Sequence, residues 1–375
     1  MKNVLIFYAS YGGGHLSAAK SIKEYIDKNY TKDYKTYLID CMEYINHSLN
    51  KLTTKAYADM AKKAPWAWGK VYSQSQKGPL AKISNTSNKL MSFKLDKLLL
   101  EIKPDIIVST HPFASQMCAY LKKKGKITSK IATIMTDYAP HEQWLVLPEY
   151  IDYFFVSHEG MKNELNNRGI SLSKIFSTGI PLSNRFLQSY DKEDILNSFN
   201  LLPNKKNILF FAGGEFGLGR QSTYEMLETL AKNFNDIQII AISGRNPQMK
   251  KNFEKIVNDY NKQDSIKIIE YTNKVPELMS ISDLVITKPG GLTTTESIAS
   301  ELPIVVINPI PGQEEENASF LEKNGLAIWI KNQDDIQKKL LNLLNNPYLL
   351  NKMKKQSKLF AKKNSCKNIC EILLN

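Results

Sequence analysis

Cysteine is scarce in this chain: Cys41, Cys118, Cys366 and Cys370 are the only four in 375 residues. They are too few and too scattered for a disulfide scaffold, and they suit a reducing cytoplasm. Cys366 and Cys370 stand four apart, on one face if the C-terminus is helical. No second Cys/His pair lies nearby, so they read as packing residues rather than metal ligands. No stretch reaches the roughly 18 consecutive apolar residues of a spanning helix. The expectation is therefore a non-integral protein, with attachment to a membrane surface left open. The opening MKNVLIFYAS is too short an apolar run for a signal peptide and leads into a glycine turn, so it reads as a first strand. There is no repeat of solenoid period, no low-complexity tract, no G-x-G-x-x-G fingerprint and no Asp-x-Asp triplet that would hold a metal-bound nucleotide.

What is present is ordinary globular composition, 42% apolar and 23% charged, over a length that suits two domains. The net charge is +13, and it is unevenly spread. Residues 1–190 carry 26 Lys+Arg against 15 Asp+Glu, whereas residues 191–375 carry 24 against 22. Residues 51–100 hold ten lysines against only Asp59 and Asp96. That segment calls for an anionic partner, lipid headgroups or nucleic acid.

Short apolar runs alternate with helix-like stretches along the chain. In the first half they fall at 4–10, 36–41, 104–110, 130–137, 153–158 and 175–181. After a polar stretch at 187–206, a second series falls at 207–214, 237–244, 266–272, 283–291, 303–312 and 326–330. Runs buried on both faces suit parallel sheets. The fold class is therefore α/β, with two Rossmann-like domains facing a central cleft. The expected division is 1–190, 191–350 and a basic helical tail at 351–375 that either packs on the first domain or does not.

Two glycine turns follow strands, where ligands bind in open parallel sheets. GGGH, residues 12–15, precedes a helix carrying Leu16, Ala19, Ile22 and Ile26 on one face. Gly13 and Gly14 allow close backbone approach, and the helix start offers N–H groups to an anion, although a tight turn alone would also explain them. FAGGEFGLGR at 211–220 brings Gly214 and Gly217. TKPGGLTTTES at 287–297 places Gly290 and Gly291 before a helix that Thr293, Thr294 and Thr295 are expected to cap. Glu296, one turn in, offers a ribose diol two acceptor oxygens. PGQEEEN at 311–317 gathers Gln313, Glu314 and Asn317. Amides and carboxylates match sugar hydroxyls, while a solvated helix start would also favour acidic residues.

GGGH, TDYAPHEQW (136–144), STGIP (177–181), GGEFGLG, SGRN (243–246), SDLVITKPGGLTTTES and PGQEEEN together resemble the diacylglycerol glycosyltransferases. That group comprises the bacterial processive diacylglycerol β-glucosyltransferases and the plant monogalactosyldiacylglycerol synthases, and is related to MurG. The resemblance spans nearly the whole chain and implies a GT-B fold. It implies an inverting, metal-independent transfer of hexose, glucose ahead of galactose, from UDP-glucose or UDP-galactose to the 3-hydroxyl of diacylglycerol. The number of sugars added stays open. By the same resemblance Gly290 and Gly291 approach the diphosphate, Glu296 holds the ribose, Gln313 and Glu314 the hexose, and Val275 reads the uracil through its backbone. Arg245 stands where lysine is more usual, and LSNRF (182–186) departs from the family pattern.

A single displacement needs a base. His15, with an ordinary imidazole pKa, and Asp137, at the end of an apolar run, are the two candidates, and Asp137 can instead orient His15 or the acceptor. His141 and Trp144 resemble the family's H-x-x-W and are expected to support the acceptor site. His111 also ends a strand; His47 and His158 sit in no constellation. In the basic segment Trp66, Trp68 and Tyr72 among lysines suit an anionic membrane surface. A solvated basic face is the alternative, and nucleic acid is disfavoured because no RNA-binding motif is present. The expected location is the cytoplasmic face of the cell membrane. Other readings are a MurG-like transferase on a polyprenyl-linked acceptor and a non-catalytic UDP-sugar-sensing membrane protein.

Overall fold

The computed structural model of the chain describes residues 1–10, 13–45, 66, 69–70, 73–74, 91–212, 221–331 and 334–375. Trp68, Tyr72, His47, Gly214 and Gly217 lie outside the described residues, as does most of the basic segment. The chain forms two compact units. One holds Met1–Ser183, Pro311–Gln313 and Lys362–Asn375; the other holds Asn184–Ile310 and Glu314–Ala361.

The N-terminal unit is built on a six-stranded sheet of β1 (Lys2–Tyr8), β2 (Tyr34–Asp40), β3 (Ile106–Ser109), β4 (Lys130–Ile134), β5 (Tyr153–Phe155) and β6 (Ile175–Phe176). Its order is β2-β1-β3-β4-β5-β6, parallel throughout. Period-two alternation divides β1 between two cores. Leu5 and Phe7 join Ile107, Met117 and Phe154 on one face. Val4 and Ile6 join Ala19 and Ile22 of helix α1 (Gly13–Asn29) on the other.

That second face is closed by the end of the chain. The last helix, Ser365–Leu374, buries Cys366, Ile369, Cys370 and Leu373 in the same cluster. The Tyr34 hydroxyl donates to the Leu374 carbonyl at 2.5 Å. All four cysteines are free and buried. Burial pushes the Cys366 thiol up to about 11 and Cys118 to about 12, which keeps both protonated and unreactive.

The second unit carries β7 (Lys206–Phe211), β8 (Ile237–Ile242), β9 (Ile266–Ile269), β10 (Leu284–Thr287), β11 (Ile304–Val306) and β12 (Ala327–Trp329). Their order, β12-β11-β10-β7-β8-β9, is that of a dinucleotide-type doubly wound sheet. Ile208, Phe210 and Ile239 pack with Met226, Leu230 and Phe253 from its helices.

Each apolar run of the sequence contains a strand, and most strands stop before the run's last residues. Ser, Thr, Asp and His leave the ladder there and line the loops at the carboxyl edge. No helix among the described residues is long and apolar enough to cross a membrane.

Candidate functional site

In the N-terminal sheet, chain order reverses between β1 and β3, so the loops leaving these strands open a crevice at their carboxyl ends. His15, in the first turn of α1, and Thr110, just past β3, meet there. His15 Nδ1 lies 2.6 Å from the Thr110 carbonyl oxygen. A carbonyl can only accept, so Nδ1 carries the proton and Nε2 carries the lone pair. The Thr136 hydroxyl lies 3.1 Å from the same Nδ1. Thr110 also holds the other end of the residue, its hydroxyl donating to the His15 carbonyl at 2.9 Å. Burial pushes the imidazole down to about 4, so it is neutral at pH 7. Gly13, one residue into the helix, has open space where a Cβ would stand, and Gly14 follows it.

Asp137 is buried three residues past the end of β4. It does not take the Nδ1 proton of His15, which goes to Thr110.

Histidine has a second use in this unit. His111 is the N-cap of helix α2 (Pro112–Lys123), its Nδ1 accepting from the Phe113 N–H at 3.3 Å. Its ring stands edge-on to His15, centroids 4.7 Å apart. Burial, then the neighbouring His15 and His141, hold it well below its usual pKa. His141 caps a short 3-10 turn, Glu142–Leu145, accepting from Gln143 N–H at 3.0 Å, and burial lowers it to about 4. His158 caps the helix Glu159–Asn167, with Nδ1 accepting from Met161 N–H at 3.2 Å and Nε2 donating to the Tyr138 carbonyl at 3.0 Å. The sequence signal was available: His111 directly precedes a proline, the residue preferred at the first helical position. Trp144 is 3% exposed and belongs to the core face of the sheet.

The second sheet reverses order between β7 and β10. The loop from β10 reads Lys288-Pro289-Gly290 and enters helix α3 (Gly291–Ala299). Gly290 is the N-cap, makes no side-chain cap and has open space where a Cβ would stand. The threonines expected to cap this helix do not. They sit inside it, and Thr295 Oγ1 donates back to the Gly291 carbonyl at 2.7 Å. The first N–H groups therefore stay available to an anion. Thr294 Oγ1 is fully buried without a hydrogen-bond partner. Glu296 follows, and burial pushes its carboxyl up to about 8.

Val275 opens the short helix Val275–Ser280. Arg245 places its guanidinium 4.2 Å over the Tyr271 ring. Gln313 begins helix α4 (Gln313–Lys323). Glu314 is held at both oxygens, Oε2 by the Ile310 N–H at 2.6 Å and Oε1 by Lys288 Nζ at 3.0 Å. Asn317 Nδ2 donates to the Pro289 carbonyl at 3.0 Å. Two side chains expected at a sugar thus brace the Lys288-Pro289-Gly290 loop. Sequence reasoning had passed over Lys288, although a lysine beside a glycine turn, opposite an acidic run, was its signal.

The geometry agrees with what the chain resembles in sequence. Residues 15–182 match the monogalactosyldiacylglycerol (MGDG) synthase family model, and residues 191–360 match that of glycosyl transferases group 1. A processive diacylglycerol beta-glucosyltransferase of Bacillus licheniformis is 30% identical, the match covering 97% of this chain and 92% of that one. Another from Staphylococcus epidermidis is 31% identical over 100% of this chain and 93% of its own. Among solved structures, Acinetobacter baumannii MurG superposes with a TM-score of 0.68 at 14% identity, covering 100% of this chain and 99% of that one. UDP-GlcNAc 2-epimerase from Neisseria meningitidis reaches 0.64 at 18% identity, covering both chains fully. These two likenesses show the fold, which is GT-B. The sequence relatives, at this identity over this length, show more: the chain belongs to the diacylglycerol glycosyltransferase family.

Proposed function

We propose that the chain transfers glucose from UDP-glucose to the 3-hydroxyl of 1,2-diacylglycerol at the cytoplasmic membrane surface, with inversion and without a metal. The acceptor and the sugar follow the names of the sequence relatives. The observation that carries the reading is the 2.6 Å contact between His15 Nδ1 and the Thr110 carbonyl oxygen, which assigns the tautomer of His15. With Nδ1–H committed to Thr110, Nε2 is a fixed lone pair at the crevice where a parallel sheet binds its substrate.

In this mechanism His15 Nε2 takes the acceptor proton as the oxygen attacks the anomeric carbon. Asp137 orients the acceptor. In the second unit the uncapped N-terminus at Gly290 and Gly291 receives the diphosphate, Glu296 the ribose and the Val275 backbone the uracil; Gln313 receives the hexose. Amide N–H groups aimed at the departing phosphate stabilise charge as it develops. The chain carries no Asp-x-Asp triplet of the kind that holds a metal-bound nucleotide.

Membrane contact is assigned to the N-terminal unit. Trp66 is 68% exposed, and Phe93 and Leu100 are exposed beside Lys94 and Lys97. Lysines contribute about 1 kcal/mol each near an anionic surface, and tryptophan favours the headgroup level.

The test is direct. The protein is incubated with vesicles containing diacylglycerol and either UDP-glucose or UDP-galactose. Lipids are read by mass spectrometry, and the anomeric configuration by NMR. A β-glucosyl diacylglycerol made from UDP-glucose is expected; no glycolipid from either donor would overturn the reading.

A further inference from the structure

The transfer leaves one electrostatic need unassigned. As the bond between the anomeric carbon and the β-phosphate oxygen breaks, its electron pair departs on that oxygen. The acceptor oxygen forms the new bond to carbon, and its proton goes to His15 Nε2. Negative charge therefore grows on the diphosphate, and amide dipoles alone supply only about half a charge at a helix end. Arg245, which stands where the family more often has lysine, lies over Tyr271.

Lys288 stands at the loop that leads into α3. It is confined: its side chain is 14% exposed and that of Glu314 is 19%. Removing both charges from water is costly, and pairs of this kind add little stability over an apolar substitute. The pair is also held more firmly than a surface bridge. Glu314 is anchored at its other oxygen by the Ile310 N–H, and Asn317 ties down the Pro289 carbonyl next to Lys288. The same loop ends at Gly290, where space is open and the helix has no side-chain cap. One residue set therefore fixes an ammonium beside an anion-receptive helix start, at the switch point of the sheet.

We propose that Lys288 is the cation that stabilises the departing diphosphate, and that Glu314 and Asn317 are positioning residues that aim it. This rests on the UDP-sugar reading above. It moves Glu314 from hexose recognition to control of the leaving group. A lysine on a four-carbon stem is a mobile charge, and the brace removes that mobility before donor arrives.

The experiment compares UDP with UMP, which lacks the β-phosphate, by titration calorimetry on the full chain, alongside turnover of UDP-glucose on diacylglycerol vesicles. The wild type is expected to prefer UDP. In Lys288→Gln the UDP:UMP affinity ratio should fall at least tenfold while UMP affinity stays within threefold, and kcat should fall about 100-fold. Lys288→Arg, which keeps the charge, should hold the ratio within threefold. Glu314→Gln, which leaves the ammonium but loosens it, should lower kcat about tenfold with UMP affinity unchanged. An unchanged ratio and kcat in Lys288→Gln would overturn this assignment alone. A wild type that binds neither nucleotide would overturn the donor reading and this assignment with it.

Discussion

Thr110 grips His15 at both ends: its carbonyl accepts the Nδ1 proton at 2.6 Å, and its hydroxyl donates to the His15 carbonyl at 2.9 Å. The base proposed above is thus oriented by backbone rather than by a carboxylate. Removal of the hydroxyl in Thr110→Val keeps shape and the accepting carbonyl but frees the start of α1. Stability should fall by about 1 kcal/mol. Turnover should fall about tenfold with UDP affinity unchanged, because the loss is one of alignment. Urea melts and initial rates check both.

The capping histidines make the N-terminal unit sensitive to acid. In the folded protein His111, His141 and His158 are held below their usual pKa, chiefly by burial. In the unfolded chain each titrates near 6.5. Between those values the unfolded state binds more protons, so stability rises with pH. It is fully present above pH 6.5 and is lost as pH falls toward 4. Protonation also puts a hydrogen on the nitrogen that accepts the cap bond. Urea midpoints measured from pH 8 to pH 4 should be flat above about 7 and fall below it. His141→Asn, which caps without titrating, should flatten part of that fall.

Glu296 should couple nucleotide binding to proton release. Its carboxyl stands at about 8 in the free protein, so it is largely protonated at pH 7. With the ribose contact proposed above, two donated hydroxyls favour the carboxylate and lower that value on binding. UDP affinity should therefore rise with pH up to about 8, with a proton released at pH 7. Calorimetry in buffers of different ionisation enthalpy reads this directly. Glu296→Gln should bind UDP about tenfold more weakly, without proton release.

Gly179 is required where the chain passes under its own C-terminus. Its φ is +86°, and a Cβ there would overlap the Lys362 side chain. Gly179→Ala should cost more than 1 kcal/mol, from left-handed strain and from displacement of the terminal helix. Thermal melts and limited proteolysis near residue 362 report the two effects.

Much of this architecture was legible because parallel strands buried on both faces leave continuous apolar runs, such as VLIFY in β1. The reversals of strand order were not, since nothing local distinguishes β2-β1-β3 from β1-β2-β3. Yet they decide that His15 meets Thr110 and that the Lys288 loop sits at a switch point. The caps at His141 and His158 were hidden because histidine is an uncommon N-cap beside Ser, Thr, Asp and Asn, and only His111, before Pro112, carried a local signal. The threonines of TKPGGLTTTES misled in the opposite sense. Their number suggested capping, but the helix begins at Gly291, too early for any of them to serve. Glu314 and Asn317 look like sugar ligands by residue type alone. Only the fold brings them against Lys288 and Pro289, 26 and 28 residues earlier in the chain.

The base assignment is the centre of the account, and His15→Ala tests it most directly. UDP-glucose turnover on diacylglycerol vesicles and UDP affinity are measured side by side on the folded variant. The account predicts a loss of turnover of about 100-fold to 10,000-fold with UDP affinity within threefold of wild type. Turnover within tenfold of wild type would contradict it.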